Sequence, residues 1–281
     1  MPESSEQLPY TKLDGADFVA SDIIQPFSLS VEGLECTGKT RLSLMTTPTP
    51  VVHVNFSDRS AAGWLYSMDA ERRKATRLYD FRANTATGWT RPEGLKSLAA
   101  LSQVAQDEMS DGKLAGGTFV IDSGSTWWDV IQEVYVAPEA ERQQREFGKQ
   151  LGGLAFGSGN LIVKGIVNWL KAQGAFVILT HQMAPLWDTK GPVPGAYKAR
   201  INSQVSYMVE VRLQLIMKCN TCGSTECYAS GHVGRTHYAR IVKFGNTQDG
   251  GSNYIGMELP DPNFTTIYKL YTGRDLPTNG S

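Results

Sequence analysis

The chain has 281 residues, 41% of them hydrophobic, and its 27 Lys and Arg against 28 Asp and Glu give a formal net charge of -1. That length buries one sizeable α/β core with embellishments and leaves little chain for a second full domain. The balance of charge excludes a molecule-wide positive field, so any contact with nucleic acid has to come from a local patch.

Residues 1–22 are polar, carry Pro2 and Pro9, show no sustained period, and read as a tail or edge element; residues 23–281 read as one domain. The opening Met1-Pro2-Glu3-Ser4-Ser5-Glu6 is acidic where a signal peptide is basic. No apolar run reaches the roughly 18 to 20 residues of a membrane helix. The expectation is a soluble, cytoplasmic protein without a membrane partner.

Phe27 to Val31 reads as a short strand, followed by a Gly-bounded loop and a helix beginning near Lys39. The loop, Gly33-Leu34-Glu35-Cys36-Thr37-Gly38-Lys39-Thr40, satisfies G-x-x-x-x-G-K-[ST] in the strand–loop–helix setting that this phosphate-binding motif requires. Its glycines let backbone amides turn toward a β-phosphate, Lys39 reaches the β- and γ-oxygens, and Thr40 ligates Mg²⁺.

Val51 to Phe56, Thr118 to Ile121 and Ala175 to Thr180 read as further buried strands. Helices are expected over Leu65 to Tyr79, Leu95 to Met109, Ala137 to Gln150 and Leu161 to Gln173. Such alternation predicts a mostly parallel sheet with helices on both faces. Asp122 ends the Thr118 strand, where a carboxylate would hold the Mg²⁺ hydration shell. Polarising the attacking water needs a second acid, either Asp58 after the second strand or Glu71 on the following helix; a surface-turn role for Asp58 is the alternative.

After Gln182 the prolines and glycines at Pro185, Gly191, Pro192, Pro194 and Gly195 predict a long irregular loop, followed by strands over Val205 to Met217 and Thr236 to Phe244. These two strands bracket Cys219-x₂-Cys222-x₄-Cys227-x₄-His232, a spacing that closes on one tetrahedral Zn²⁺ at a hairpin tip inserted at about 218–236. His237 is the alternative fourth ligand, and free cysteines or a Cys219–Cys222 redox pair are the alternatives to a metal. A structural ion suits a tip that has no hydrophobic core of its own.

The phosphate loop, the strand end Val120-Ile121-Asp122-Ser123, and Ile178-Leu179-Thr180-His181-Gln182 together resemble the RecA-like ATPase core, in particular the phage-encoded RecA-like single-strand annealing ATPases. The resemblance spans about Phe27 to Phe244. It implies an Mg²⁺-dependent ATPase that binds single-stranded DNA and promotes annealing or recombination as a ring or filament in the host cytoplasm, with a single-strand-binding protein as a further partner.

By the same resemblance Gln182 or His181 would sense the γ-phosphate, and Met183 to Ser203 would be a DNA-binding loop. That loop holds Trp187, Lys190, Tyr197, Lys198 and Arg200, a mixture of stacking and cationic groups suited to single strands. Gly152 to Asn160 would be a second DNA loop or a plain connector, and Lys243 a cation acting on a neighbouring subunit's nucleotide. A glutamate at the family's catalytic position is not evident. The competing readings are a DNA-independent ATPase or kinase whose Met183 loop is a lid, and a nucleotide-gated assembly protein whose zinc hairpin docks a partner.

Overall fold

The computed structural model of the chain describes residues 26–56, 60–81, 89–148, 155–189, 191–201, 205–225, 227, 231–245 and 251–276. The chain is α/β, built on one mixed, mostly parallel sheet in the order β3-β2-β4-β5-β1-β7-β8-β9. Its parallel part comprises β1 (Ser28–Gly33), β2 (Val51–Asn55), β3 (Thr76–Asp80), β4 (Thr118–Asp122), β5 (Phe176–Asp188) and β7 (Val211–Cys219). β8 (Arg235–Phe244) and β9 (Glu258–Pro260) add antiparallel strands at one edge, and β6 (Gly191–Ala199) pairs antiparallel with the outer half of β5.

Central strands run apolar on both faces because both are covered. Phe119, Ile121, Val177 and Leu179 join a core with Leu98 and Leu101 of α4 (Arg91–Met109), Trp127 and Val130 of α5 (Gly124–Ile131), and Val163 and Val167 of α7 (Gly157–Ala172). Val120, Phe176 and Ile178 point the other way, against Leu42 and Leu44 of α1 (Lys39–Met45) and Phe264, Ile267 and Tyr268 of α9 (Phe264–Thr272). Helix starts are set by local chemistry: Thr90 and Glu93 form a reciprocal capping box on α4, and Ser123 and Asn263 cap α5 and α9 by accepting the N–H of Thr126 and Thr266.

Three expected elements change. The helix read over Leu65 to Tyr79 is instead α2 (Ser60–Ser67), α3 (Ala70–Lys74) and the edge strand β3. Arg77 and Tyr79 of that strand bond Glu108 of α4, so polar contacts hold a half-buried strand that has little apolar signal. The strand read over Val205 to Met217 begins as one helical turn, α8 (Val205–Met208), before β7. Val205 and Val209 are both buried, and a four-residue spacing fits either period.

The irregular loop expected after Gln182 is a β-ribbon, with β5 running on to Asp188 and pairing Met183 with Ala199 and Trp187 with Pro192. A register shift between Pro185 and Trp187 accommodates residues that cannot donate to a ladder. Of the Gly152 to Asn160 segment, residues 152–154 lie outside the described residues and Gly157 onward opens α7. Among the described residues no helix is long and apolar enough to cross a membrane.

Candidate functional site

The loop from Gly33 to Lys39 turns at the carboxyl end of β1, between the two strands that flank β1 in register, β5 and β7. Two glycines are dictated by space and backbone. A Cβ on Gly33 would lie 2.3 Å from Thr37 Oγ1 and 3.1 Å from the Leu215 carbonyl oxygen, and Gly38 has φ +94 as it enters α1. Cys36 also lies in the left-handed region, at φ 61, and its thiol is exposed. Thr37 Oγ1 donates to the Leu34 carbonyl at 2.8 Å, and the Lys39 ammonium folds back onto the carbonyls of Gly33 at 2.9 Å and Leu34 at 2.7 Å.

Beside the loop a cleft of about 440 Å³ is lined by Glu35 to Arg41, Trp64, Asp122, Ser123, Gln182 and His237. Its size is that of a small-molecule site. Thr40 Oγ1 donates to Asp122 Oδ2 at 3.1 Å although 82 residues separate them, because β4 lies two strands from β1 in the sheet. Thr180 donates to Asp122 Oδ1, and buried His53 of β2 brings Nε2 to 3.3 Å from Oδ2. Burial pushes the Asp122 carboxyl up, but the imidazole of His53 and the hydroxyls of Thr180 and Thr40 outweigh it and hold the group below the ordinary carboxylate value.

The two residues at the end of the inner part of β5 separate. Gln182 faces the cleft, whereas His181 is buried beneath Gly124, whose Cβ would meet its ring at 2.7 Å. Burial, with Arg212 adding, pulls the His181 imidazole down to about 3, so it is neutral at physiological pH. Of the pair singled out for contact with the γ-phosphate, only Gln182 lines the cleft. Its side chain accepts from Arg200 Nη1 at 3.3 Å, and Arg200 in turn pairs with Asp129 of α5 at 2.8 Å. Arg200 therefore ties the base of the ribbon to α5, while Trp187 (67% exposed), Tyr197 and Lys198 lie out along it.

Asp58 and Lys190 lie outside the described residues. Glu71 pairs with Lys74 on the exposed side of α3 and does not line the cleft. The Lys243 ammonium donates to the carbonyls of Ser206 at 2.8 Å and Val209 at 2.7 Å, closing the end of α8. A second groove of about 260 Å³ between α4 and α7 is lined by Leu101, Ala105, Ile166, Trp169 and other residues without an ionisable group. It offers no chemistry comparable to the cleft beside the loop.

At the closed end of the β7–β8 hairpin the ligand atoms of Cys219, Cys222, Cys227 and His232 all lie within 4.8 Å of one another. His232 Nδ1 stands 3.8 Å from Cys219 Sγ and 3.1 Å from Cys227 Sγ. Tetrahedral zinc, with bonds of about 2.3 Å to sulfur and about 2.05 Å to nitrogen, separates S and N ligands by about 3.6 Å, so the donor set fits the ion. The N–H groups of Cys222 and Thr221 draw the Cys219 thiol down to about 6, preparing a thiolate. The cluster could bind a structural zinc. His237, the alternative fourth ligand, is not in it: its Nδ1 lies 3.0 Å from the Thr37 carbonyl oxygen, against the Gly33 to Thr40 loop.

Sequence reasoning missed the cleft positions of Trp64 and Arg41, and the pairing of His53 with Asp122. A buried histidine two residues before a strand end is the signal that could have found the last. No protein-family model matches the chain, and no curated protein is significantly similar to it.

Proposed function

We propose that the chain is a RecA-like P-loop ATPase that binds single-stranded DNA and promotes annealing or recombination. The observation that carries the nucleotide part is the meeting of Thr40 Oγ1 with the Asp122 carboxylate at 3.1 Å, beside a Gly-bounded loop holding a lysine. A hydroxyl and an ionised carboxylate brought that close could share a divalent ion, and the amides of a Gly-bounded loop that opens a helix could cradle an anion beside it.

In this reading Lys39 releases the Gly33 and Leu34 carbonyls and turns its ammonium to the β- and γ-phosphates. Thr40 and Asp122 would hold Mg²⁺, which would supply positive charge against the phosphate oxygens. His53 and Thr180 keep the Asp122 carboxylate ionised and fixed. Gln182 reaches the cleft from the residue just before the ribbon, so a change at the γ-phosphate has a direct covalent route to Trp187, Tyr197 and Lys198.

The DNA part is supported by that route and by the ribbon's exposed aromatic and cationic side chains, which stack on bases and neutralise phosphates without reading sequence. The test is steady-state ATP turnover with Mg²⁺, with and without a long single-stranded oligonucleotide, using Lys39→Ala as the blank. Turnover stimulated by DNA is expected. Turnover indifferent to DNA would replace the proposal with a DNA-independent ATPase or kinase whose ribbon is a lid. Nucleotide binding without turnover would replace it with a nucleotide-gated assembly protein.

A further inference from the structure

The hairpin that carries the cysteine cluster also lays a side chain across the phosphate loop. His237 stands on β8 two residues after Arg235, which pairs with Cys219 across the hairpin. A carbonyl oxygen only accepts, so the 3.0 Å contact with Thr37 O requires the proton on His237 Nδ1. The ring also covers Gly38, where a Cβ would lie 3.3 Å from Nδ1, and forms part of the cleft wall. One imidazole thus touches both ends of the Thr37–Gly38 segment.

From the cluster to that imidazole the connections are short and polar. Arg235 Nη2 donates to the Cys227 carbonyl at 2.7 Å, Thr236 Oγ1 donates to Asn220 Oδ1 at 2.8 Å, and the Asn220 N–H bonds the Gly234 carbonyl at 3.2 Å. Residues 220–225 are exposed, so among the described residues of the tip no apolar packing orders this turn. Four metal–ligand bonds would supply that order at the tip, next to the ladder in which His237 lies opposite Met217 and its carbonyl accepts the Asp261 N–H at 2.8 Å.

We propose that metal binding at Cys219, Cys222, Cys227 and His232 is coupled through His237 to nucleotide binding at the Gly33–Thr40 loop, the metal-loaded hairpin holding the loop in its phosphate-accepting shape. The inference rests on the reading of that loop as a nucleotide site. Its physical content is an ordering cost: a metal that has already fixed the hairpin removes part of the entropy that nucleotide binding would otherwise lose. Binding free energies are reciprocal, so ADP must tighten zinc binding by the factor by which zinc tightens ADP. His237 is a positioning residue here, acting through the Thr37 carbonyl and Gly38.

The experiment uses the full chain and two equilibria. The Kd of a fluorescent ADP analogue with Mg²⁺ is measured on zinc-loaded and chelator-stripped protein, and the Kd of zinc is measured by chelator competition with and without ADP. A change of about tenfold is expected in each, equal within error. His237→Ala should still take up one zinc per chain and bind the analogue, with the coupling factor reduced to about one, and His237→Gln, which keeps an N–H donor, should recover part of it. If the stripped chain loses its fold by circular dichroism, the rate of zinc release to an excess chromophoric chelator reads the coupling from the loaded side: ADP should slow it in the parent and not in His237→Ala.

Equal analogue affinity with and without zinc, or a coupling factor unchanged in His237→Ala, overturns the inference and leaves the nucleotide site standing. Failure of the zinc-loaded parent to bind the analogue at all overturns the reading beneath it. Failure of the parent to take up zinc overturns the inference and leaves the nucleotide reading untouched.

Discussion

Lys39→Ala separates binding from folding, because the ammonium has different partners in the two settings. In the structure it donates to the Gly33 and Leu34 carbonyls at 2.9 and 2.7 Å, the second of these bonds open to solvent. Bonds of that kind contribute about 1 kcal/mol each, so the loss of both should lower the melting temperature by no more than about 4 to 8 °C. With nucleotide bound, the same ammonium would face phosphate oxygens inside the cleft, where a charge-assisted hydrogen bond is worth about 1.5 to 3 kcal/mol. The expected loss of affinity is about 10- to 150-fold. Isothermal titration with the Mg²⁺ complex of a non-hydrolysable ATP analogue measures it, and a thermal melt on the same preparation reports the fold. An unchanged Kd would refute the assignment of Lys39 to phosphate, and a loss of fold by the variant would refute the account of its resting contacts.

Three other perturbations test separate parts of the molecule. Replacing Trp187 and Lys198 together by Ala should weaken binding of a single-stranded oligonucleotide by about 1 to 3 kcal/mol per lost stacked base and lower the salt slope by about 0.7, both readable by fluorescence anisotropy across a salt series. A parent-like slope would remove the ribbon from the DNA path. Glu210 accepts from the Ser28 N–H and hydroxyl, each at 2.6 Å, and from Lys171. Burial raises its carboxyl, and these donors outweigh burial and bring it below the ordinary value. A depressed carboxylate stabilises the fold above the unfolded-state value of 4.5 and loses that contribution as pH falls through the folded value. Glu210→Gln should therefore lower the melting temperature near neutrality and show a shallower decline than the parent below about pH 4.5, whereas parallel curves would sink this account. Cys227→Ser should abolish stoichiometric zinc uptake measured by elemental analysis, and one zinc per chain in that variant would contradict the four-ligand set.

How much could be read from the chain alone follows from how local each signal is. The Gly33 to Thr40 motif is eight consecutive residues between a strand and a helix, and Asp122 ends the five-residue strand β4, so that strand–loop–helix order and that strand end were legible before any fold was known. The cysteine cluster was legible for the same reason, within fourteen consecutive residues. What failed was read from rules of composition. Prolines at 185, 192 and 194 argue against strands, yet a two-stranded ribbon has free edges and a register shift to absorb them. The edge strand β3 follows a run of helix-forming charged residues and is held by Glu108, a partner 31 residues from Arg77. Nothing local marks His237 as a neighbour of Thr37, because their contact spans 200 positions and exists only once β7 has paired with β1. Signals within about fifteen residues survive in sequence, and those made by strand order do not.

Strand order also explains why one loop should answer to two distant segments. β5 and β7 both run parallel to β1 and flank it, with Gly33 in register with Gln182 on one side and Leu215 on the other. Parallel strands end on the same edge of the sheet, and both neighbours overshoot the end of β1. At about 3.3 Å per residue, the stretch from Met183 to Asp188 carries the ribbon about 20 Å beyond that edge, and Ile216 to Cys219 carries the metal hairpin about 13 Å beyond it. The loop from Gly33 to Thr40 therefore lies in the notch between two hairpins: Gln182, in register with Gly33 at the foot of one, lines the same cleft, and His237, opposite Met217 on the other, contacts the Thr37 carbonyl. A ligand that moved either contact would be felt by the opposite hairpin through a loop of eight residues. The geometry predicts that Gln182→Ala and His237→Ala, made together, lose nucleotide affinity by more or less than the sum of the single changes, and strict additivity in that double-mutant cycle would show that the two hairpins act on the loop independently.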